Sequence, residues 1–163
     1  MITLSSRRLM LYPLSIKDKD FFVSLFTDRD VMKYIGTVHN ADSAENKLLE
    51  FLRDCNEKKR YLWLVKKKRS QVSIGIIGLS CDSQRWNLGA MFKKDVVGFG
   101  FGPEAMNSVI SAGFDVLKIN TIYGVIMDEH IASQKAAKGV GFEYYSSLDD
   151  GTSLWAVKSN RVV

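Results

Sequence analysis

The feature that most limits how this chain can fold is a run of alternating glycines placed between a strand and a helix. The run is Val97-Gly98-Phe99-Gly100-Phe101-Gly102-Pro103-Glu104. Ahead of it, Arg85 to Phe92 (RWNLGAMF) has the character of a strand. Behind it, Met106, Val109, Ile110, Gly113, Phe114 and Leu117 recur at helical spacing, which predicts a helix from Pro103 to about Leu117. Proline suits the first helical turn, and Glu104 complements the positive end of the helix dipole. A second strand, Thr121 to Met127 (TIYGVIM), follows. Strand, helix, strand is a crossover unit, and a crossover joins parallel neighbours. The two strands are therefore expected to lie parallel.

The chain before Arg85 has a different rhythm. Tyr61–Val65 and Val72–Ser80 (VSIGIIGLS) are strand-like and separated by short turns, so with Arg85–Phe92 they predict an antiparallel meander. Arg8–Leu14 reads as a first strand. Ile16–Thr27 and Asp28–Tyr34 read as helical pieces, and Asp42-Ser43 as the cap of a helix running to about Asn56. At the far end, Ser133–Lys138 is a short helix. Phe142–Ser146 and Ser153–Lys158 form a hairpin around Asp149-Asp150-Gly151. The fold class is α+β, in α/β/α layers. A mixed, mostly antiparallel sheet of six to seven strands carries one parallel pair and about four helices. At 163 residues, the chain is expected to be one domain, 1–163.

Composition narrows the function. With 46% hydrophobic and 25% charged residues, the chain is neither disordered nor a disulfide scaffold. No stretch reaches the roughly 20 apolar residues of a membrane helix, and MITLSSRRLMLYPL lacks the pattern of a secretory signal. A cytoplasmic protein with no membrane partner is expected. Cys55 and Cys81 read as reduced thiols, and two histidines leave little material for a metal site; none is expected. The net charge of +5 suits an anionic ligand. Its densest runs, Lys58-Lys59-Arg60 and Lys66-Lys67-Lys68-Arg69, read as solvated turns. Tyr61 and Trp63 alternate with leucines as strand residues do, which argues against nucleic acid.

Alternating glycines before a helix expose successive backbone N–H groups to an anion such as phosphate. The same glycines also serve a loop that merely needs positive φ. Pro103 takes the last glycine position of a dinucleotide fingerprint, and no GxxxxGK[ST] run exists. About sixty residues remain after the loop, too few for the second half of a doubly wound sheet.

The segment LGAMFKKDVVGFGFGPEAM, followed by helix, strand and HIASQKAAKGVGF, resembles the GNAT superfamily of N-acetyltransferases. The opening RRLMLYPLSIKDKDFFVSLFTDRDVMKYIG and the strands IGIIGLS and LGAMF are similar to its RimJ/RimL group. The resemblance implies the acyl-CoA N-acyltransferase fold, with the parallel pair splayed by a bulge. It implies acetyl-CoA as cosubstrate and a primary amine as acceptor, either a protein N-terminus or a small molecule. A monomer or homodimer is expected. The family loop, [QR]-x-x-G-x-[GA], falls on Val97, Gly98, Phe99, Gly100, Phe101 and Gly102. Its final small residues are kept, and its leading Gln/Arg is Val97. The family's Asn-x-x-Ser, whose asparagine contacts the pantetheine arm of the cofactor, falls on His130-Ile131-Ala132-Ser133; the resemblance thus implies cofactor contacts from Ser133 and from His130, which either hydrogen-bonds in the asparagine's place or sits outside the site. The acidic residue that many relatives carry before the strand glycine is Asn87.

The resemblance also places the pantetheine arm on the open edge of the first parallel strand, at Ala90, Met91 and Phe92, where a backbone N–H polarises the thioester carbonyl. Lys135 would meet a phosphate or remain a solvated helix residue. Ser133 is a candidate donor to the departing thiolate, with a helix-capping role as the alternative. Tyr144 and Tyr145 are alternative donors, one of them expected to face the core by strand alternation. His130 is a candidate base, and His39 lies in the acceptor-side segment. The losses at Val97, Asn87 and His130 motivate an alternative, a non-enzymatic CoA-binding sensor or degenerate relative. Net charge alone motivates a third, an RNA- or ribosome-binding module.

Overall fold

A computed structural model describes residues 2–159. Its strands are β1 (Leu4–Ser5), β2 (Leu9–Pro13), β3 (Arg60–Lys67), β4 (Ser73–Asp82), β5 (Arg85–Phe92), β6 (Thr121–Met127), β7 (Glu143–Ser147) and β8 (Thr152–Lys158). Its helices are α1 (Lys19–Phe26), α2 (Arg29–Met32), α3 (Ala41–Asn56), α4 (Phe101–Asp115) and α5 (Ile131–Gly139), with short 3-10 turns at Ile16–Asp18 and Lys94–Val96. The eight strands form one sheet in the order β1-β2-β3-β4-β5-β6-β8-β7. The class matches the expectation, and the counts exceed it. β1 is a two-residue strand, too short to leave a periodic signal.

The meander β2-β3-β4-β5 is antiparallel, and among the described residues β5 and β6 are the one parallel pair. Helix α4 makes the crossover between them on one face, where Ala105, Val109 and Ile110 bury against Leu79, Ile77 and Ile122. The other face, over β3 and β4, is covered by α1 and α3. There Phe22, Leu25, Phe26, Ala44 and Leu48 pack on Leu62, Leu64 and Ile76. Trp63 and Trp155 are core residues, as expected of most tryptophans, and Trp86 is half-buried beside Tyr61.

Several boundaries shift for local reasons. α3 is capped by Asn40 rather than Asp42-Ser43. The Asn40 side chain accepts from the Ser43 N–H at 2.8 Å, and the Asn40 N–H donates to the Ser43 hydroxyl at 3.1 Å. α4 begins two residues before Pro103, with Gly100 as its N-cap at φ +77°. β3 runs on through Lys66 and Lys67, which pair with Met10 and Leu9, so only the end of that basic run is a turn. Neither Tyr144 nor Tyr145 faces the core: both are more than half exposed, because β7 is the last strand of the sheet. No helix among the described residues is long and apolar enough to cross a membrane.

Candidate functional site

All eight residues of β5 pair with β4, from Arg85↔Asp82 to Phe92↔Gly75. With β6 only Trp86 and Asn87 pair, to Ile122 and Tyr123. Beyond Asn87 the two parallel strands part and leave a V. The register of β5 on β4 is unbroken, so the splay arises without the expected bulge in that ladder.

The unbroken register fixes which peptide groups face the opening. The Lys93 N–H donates to the Ile74 carbonyl, and the Cys81 N–H donates away from β5, to Lys59. Alternation along an antiparallel ladder then turns Asn87, Gly89 and Met91 toward β4. It turns Leu88, Ala90 and Phe92 toward the open side. Of the three sequence candidates on this strand, Ala90 and Phe92 present main-chain groups to the V, and Met91 does not. Sequence reasoning misses Leu88, although strict alternation from Ala90 would find it.

The loop at the mouth of the V has a backbone suited to an anion. Gly98 and Gly100 hold φ of +91° and +77°, a region that L side chains avoid. Among the described residues, the N–H groups of Gly98, Phe99, Gly100, Phe101 and Gly102 donate to no carbonyl or side chain. Five successive free donors lead into the positive end of a 15-residue helix. A Cβ at Gly98 would meet nothing within 4 Å, so among the described residues none beyond its chain neighbours fills that flank of the loop. The phosphates of acetyl-CoA fit such a seat by charge and by donor chemistry. The leading Val97 is exposed and adds no polar group.

Behind the loop stands a bracket that sequence reasoning does not find. The Glu104 carboxylate accepts from the Ser6 hydroxyl and the Arg8 N–H, each at 2.6 Å, and from Arg8 Nε at 2.7 Å. Arg8 Nη1 donates to the Phe99 carbonyl at 3.0 Å, and its guanidinium lies 4.3 Å from the Phe101 ring centroid. Burial pushes the Glu104 carboxyl up, but the donors from Ser6 and Arg8 outweigh it and hold the group below its usual range. Arg8 and Glu104 stand 96 positions apart, so no local pattern announces the pair.

The other side of the V is closed by the β6–α5 turn and by α2. His130 is the N-cap of α5 and stacks on Tyr34, centroids 4.2 Å apart and 15° from parallel. Burial, then the Lys33 charge, lowers its pKa below the ordinary histidine value. At the other end of α2, Asp30 pairs with Lys94 at 2.7 Å, just ahead of the glycine loop. The α2 segment thus spans from the loop to His130. Ser133 sits half-buried in the first turn of α5, three residues past its cap, so the capping position belongs to His130 instead. Lys135 is exposed two residues further on.

Two candidates lie apart from this cluster. Tyr144, on the far strand β7, packs edge-on against Trp155 and lines a groove of about 850 Å³ with Phe114, Val140 and Lys158. Two strands separate it from β5. His39 is spent on structure: its Nδ1 meets the Ser43 hydroxyl at 3.1 Å at the start of α3, and its ring abuts Phe26. Asn87 donates to the Arg85 carbonyl of its own strand.

Known proteins share this fold. The family description "Acetyltransferase (GNAT) domain" matches residues 8–143. An uncharacterized N-acetyltransferase, YoaA of Bacillus subtilis, is 24% identical over 145 residues, covering 86% of this chain and 82% of the relative. The ribosomal-protein-S5-alanine acetyltransferase of Vibrio fischeri superposes with a TM-score of 0.83 at 13% identity, covering 98% of each chain. The spermidine N-acetyltransferase of Vibrio cholerae, in complex with CoA and spermine, superposes with a TM-score of 0.82 at 16% identity, covering 93% of this chain and 95% of that one. Splayed strands, a glycine loop of free donors and a family match over most of the sequence lead to one conclusion: the chain belongs to the GNAT family of acetyltransferases.

Proposed function

We propose that this protein transfers the acetyl group of acetyl-CoA to a primary amine, with both substrates bound at once in the V between β5 and β6. The observation that carries the reading is the row of five free N–H donors at Gly98–Gly102, beside a strand edge whose own N–H groups are also free. Acetyl-CoA supplies the acetyl group as an activated thioester. The loop's main chain binds the pyrophosphate, so the missing side chain at Val97 costs one contact and leaves the grip intact. The Leu88, Ala90 and Phe92 main chain aligns the pantetheine. The Ala90 N–H donates to the oxygen on which negative charge develops, a type of contact worth about 3 kcal/mol in the barrier.

His130 takes the proton of the attacking amine, directly or through water. Its lowered pKa keeps the ring neutral, and able to accept, near pH 7. Ser133 donates to the departing thiolate from the next turn. The acceptor enters on the α2 side, where Tyr34 and His130 meet. The structural neighbours named above are a ribosomal-protein acetyltransferase and a spermidine acetyltransferase, so peptide N-termini and polyamines are the first acceptors to try.

The test is turnover. The purified protein is incubated with acetyl-CoA and a panel of peptides with free N-termini, polyamines and amino sugars. Free thiol and acetylated product are measured, with binding followed by calorimetry. Product from any amine supports the reading. Tight binding of acetyl-CoA with no product across the panel would favour the sensor alternative, and no binding at all would remove both.

A further inference from the structure

We propose that Arg8 is a positioning residue for the phosphate loop: it fixes the Phe99–Gly100 peptide so that the Gly100 N–H points at the pyrophosphate. The inference rests on the acetyl-CoA reading above. It adds to that reading a residue from outside the loop, 91 positions upstream of the carbonyl it holds.

A planar trans peptide carries its C=O and N–H in opposite directions. Arg8 Nη1 donates to the Phe99 carbonyl at 3.0 Å. That bond draws the carbonyl toward β2, and the Gly100 N–H of the same unit must face the other way. Without it the peptide is free to rotate, because Gly100 at φ +77° has no side chain to resist. A flipped peptide would present a carbonyl oxygen to the phosphate, replacing a donor with a repelling acceptor.

Arg8 is itself held in place. Its Nε and its backbone N–H both donate to Glu104, its guanidinium covers the Phe101 ring, and its carbonyl accepts from the Lys68 N–H at 2.8 Å. A Cβ at Gly100 would lie 3.4 Å from Arg8 Nη2, so the guanidinium packs directly behind the glycine. The role follows from shape: one nitrogen bonds Glu104 while another bonds Phe99, which the single ammonium of lysine does not reproduce. Val97 makes the role weightier, because the family's leading polar side chain is missing and the grip falls on the main chain.

The test compares wild type, Arg8→Met and Arg8→Lys with two donors, acetyl-CoA and S-acetylpantetheine, which lacks the phosphates. We expect Arg8→Met to raise the Kd and KM for acetyl-CoA at least about tenfold, in line with losing an oriented donor to a charged group. We expect kcat at saturation and turnover of S-acetylpantetheine to stay within about twofold. Arg8→Lys should recover less than half of the loss. Full rescue by lysine, equal losses on both donors, or unchanged acetyl-CoA affinity would each overturn the role. If Arg8→Met does not fold, Arg8→Lys decides, together with the Gly100 amide resonance, which should shift on adding CoA in wild type and not in the variant. Wild-type protein that fails to bind acetyl-CoA would instead overturn the function proposed above.

Discussion

Gly98→Ala separates a loop that binds phosphate from one that only turns. Gly98 holds φ at +91°, and an added Cβ would meet nothing within 4 Å. The substitution therefore introduces no clash, and its whole effect is the cost of a left-handed backbone. For an L-residue that cost is about 1–2 kcal/mol. The loop either carries the strain or relaxes toward negative φ, turning the neighbouring Phe99 N–H out of the row of donors. Either way the binding conformer becomes rarer, and the Kd for acetyl-CoA should rise roughly 5- to 30-fold. Gly98→Asp adds a carboxylate beside the phosphates and should be worse. Gly36→Ala is the control: its surroundings are equally open and its φ is not positive, so affinity should stay within about twofold. Calorimetric titration at one fixed salt concentration measures all three. If Gly98→Ala binds acetyl-CoA as tightly as Gly36→Ala, the glycine loop does not hold the cofactor and the reasoning from free donors fails.

Other outcomes follow from other parts of the molecule. Ala90→Pro removes an N–H that the β4 ladder does not use, so the fold should survive while kcat drops about 100-fold; an unchanged kcat would move the oxyanion donor elsewhere. His130 has a folded pKa below its unfolded one, so the unfolded chain binds the proton more readily. Its contribution is complete above about pH 6.5 and is lost as pH falls through the folded value. Thermal unfolding of His130→Gln should lack that increment of acid sensitivity, and the acid limb of kcat/KM should vanish with it. Phe22→Ala empties a site that is fully buried, stacked on Phe26 at 4.3 Å and edge-on to Phe51, and should cost about 3–5 kcal/mol in chemical denaturation. Gly78→Ala forces a Cβ to within 2.2 Å of the Tyr61 carbonyl, and should destabilise by at least about 1–3 kcal/mol by the same assay.

What can be read in advance is whatever repeats or sits close together in the chain. β5 and β6 are placed to the residue, because their apolar runs end at turns and are joined by one helix. The glycine loop is legible because its residues are contiguous. The Arg8–Glu104 bracket is not, since each residue has an ordinary local role: one opens a strand and the other meets a helix dipole. Tyr34 escapes for the same reason, its partner His130 standing on a distant element. Tyr144 looks promising as a phenol near the motif, yet β7 returns beside β8, and the fold carries it away from the opening. Strand alternation fails for Tyr144 and Tyr145 because the pairing of β7 on β8 slips between Tyr144 and Ser146, and because β7 is the outermost strand, so neither ring is buried.

The parting of β5 from β6 has a kinetic corollary. The gap runs through the sheet rather than into it, with α4 on one side and α2 on the other. If, as proposed, the donor arrives past the glycine loop and the amine past Tyr34, the two use separate doorways, and neither must vacate for its co-reactant. Initial-rate plots against the two concentrations should intersect rather than run parallel.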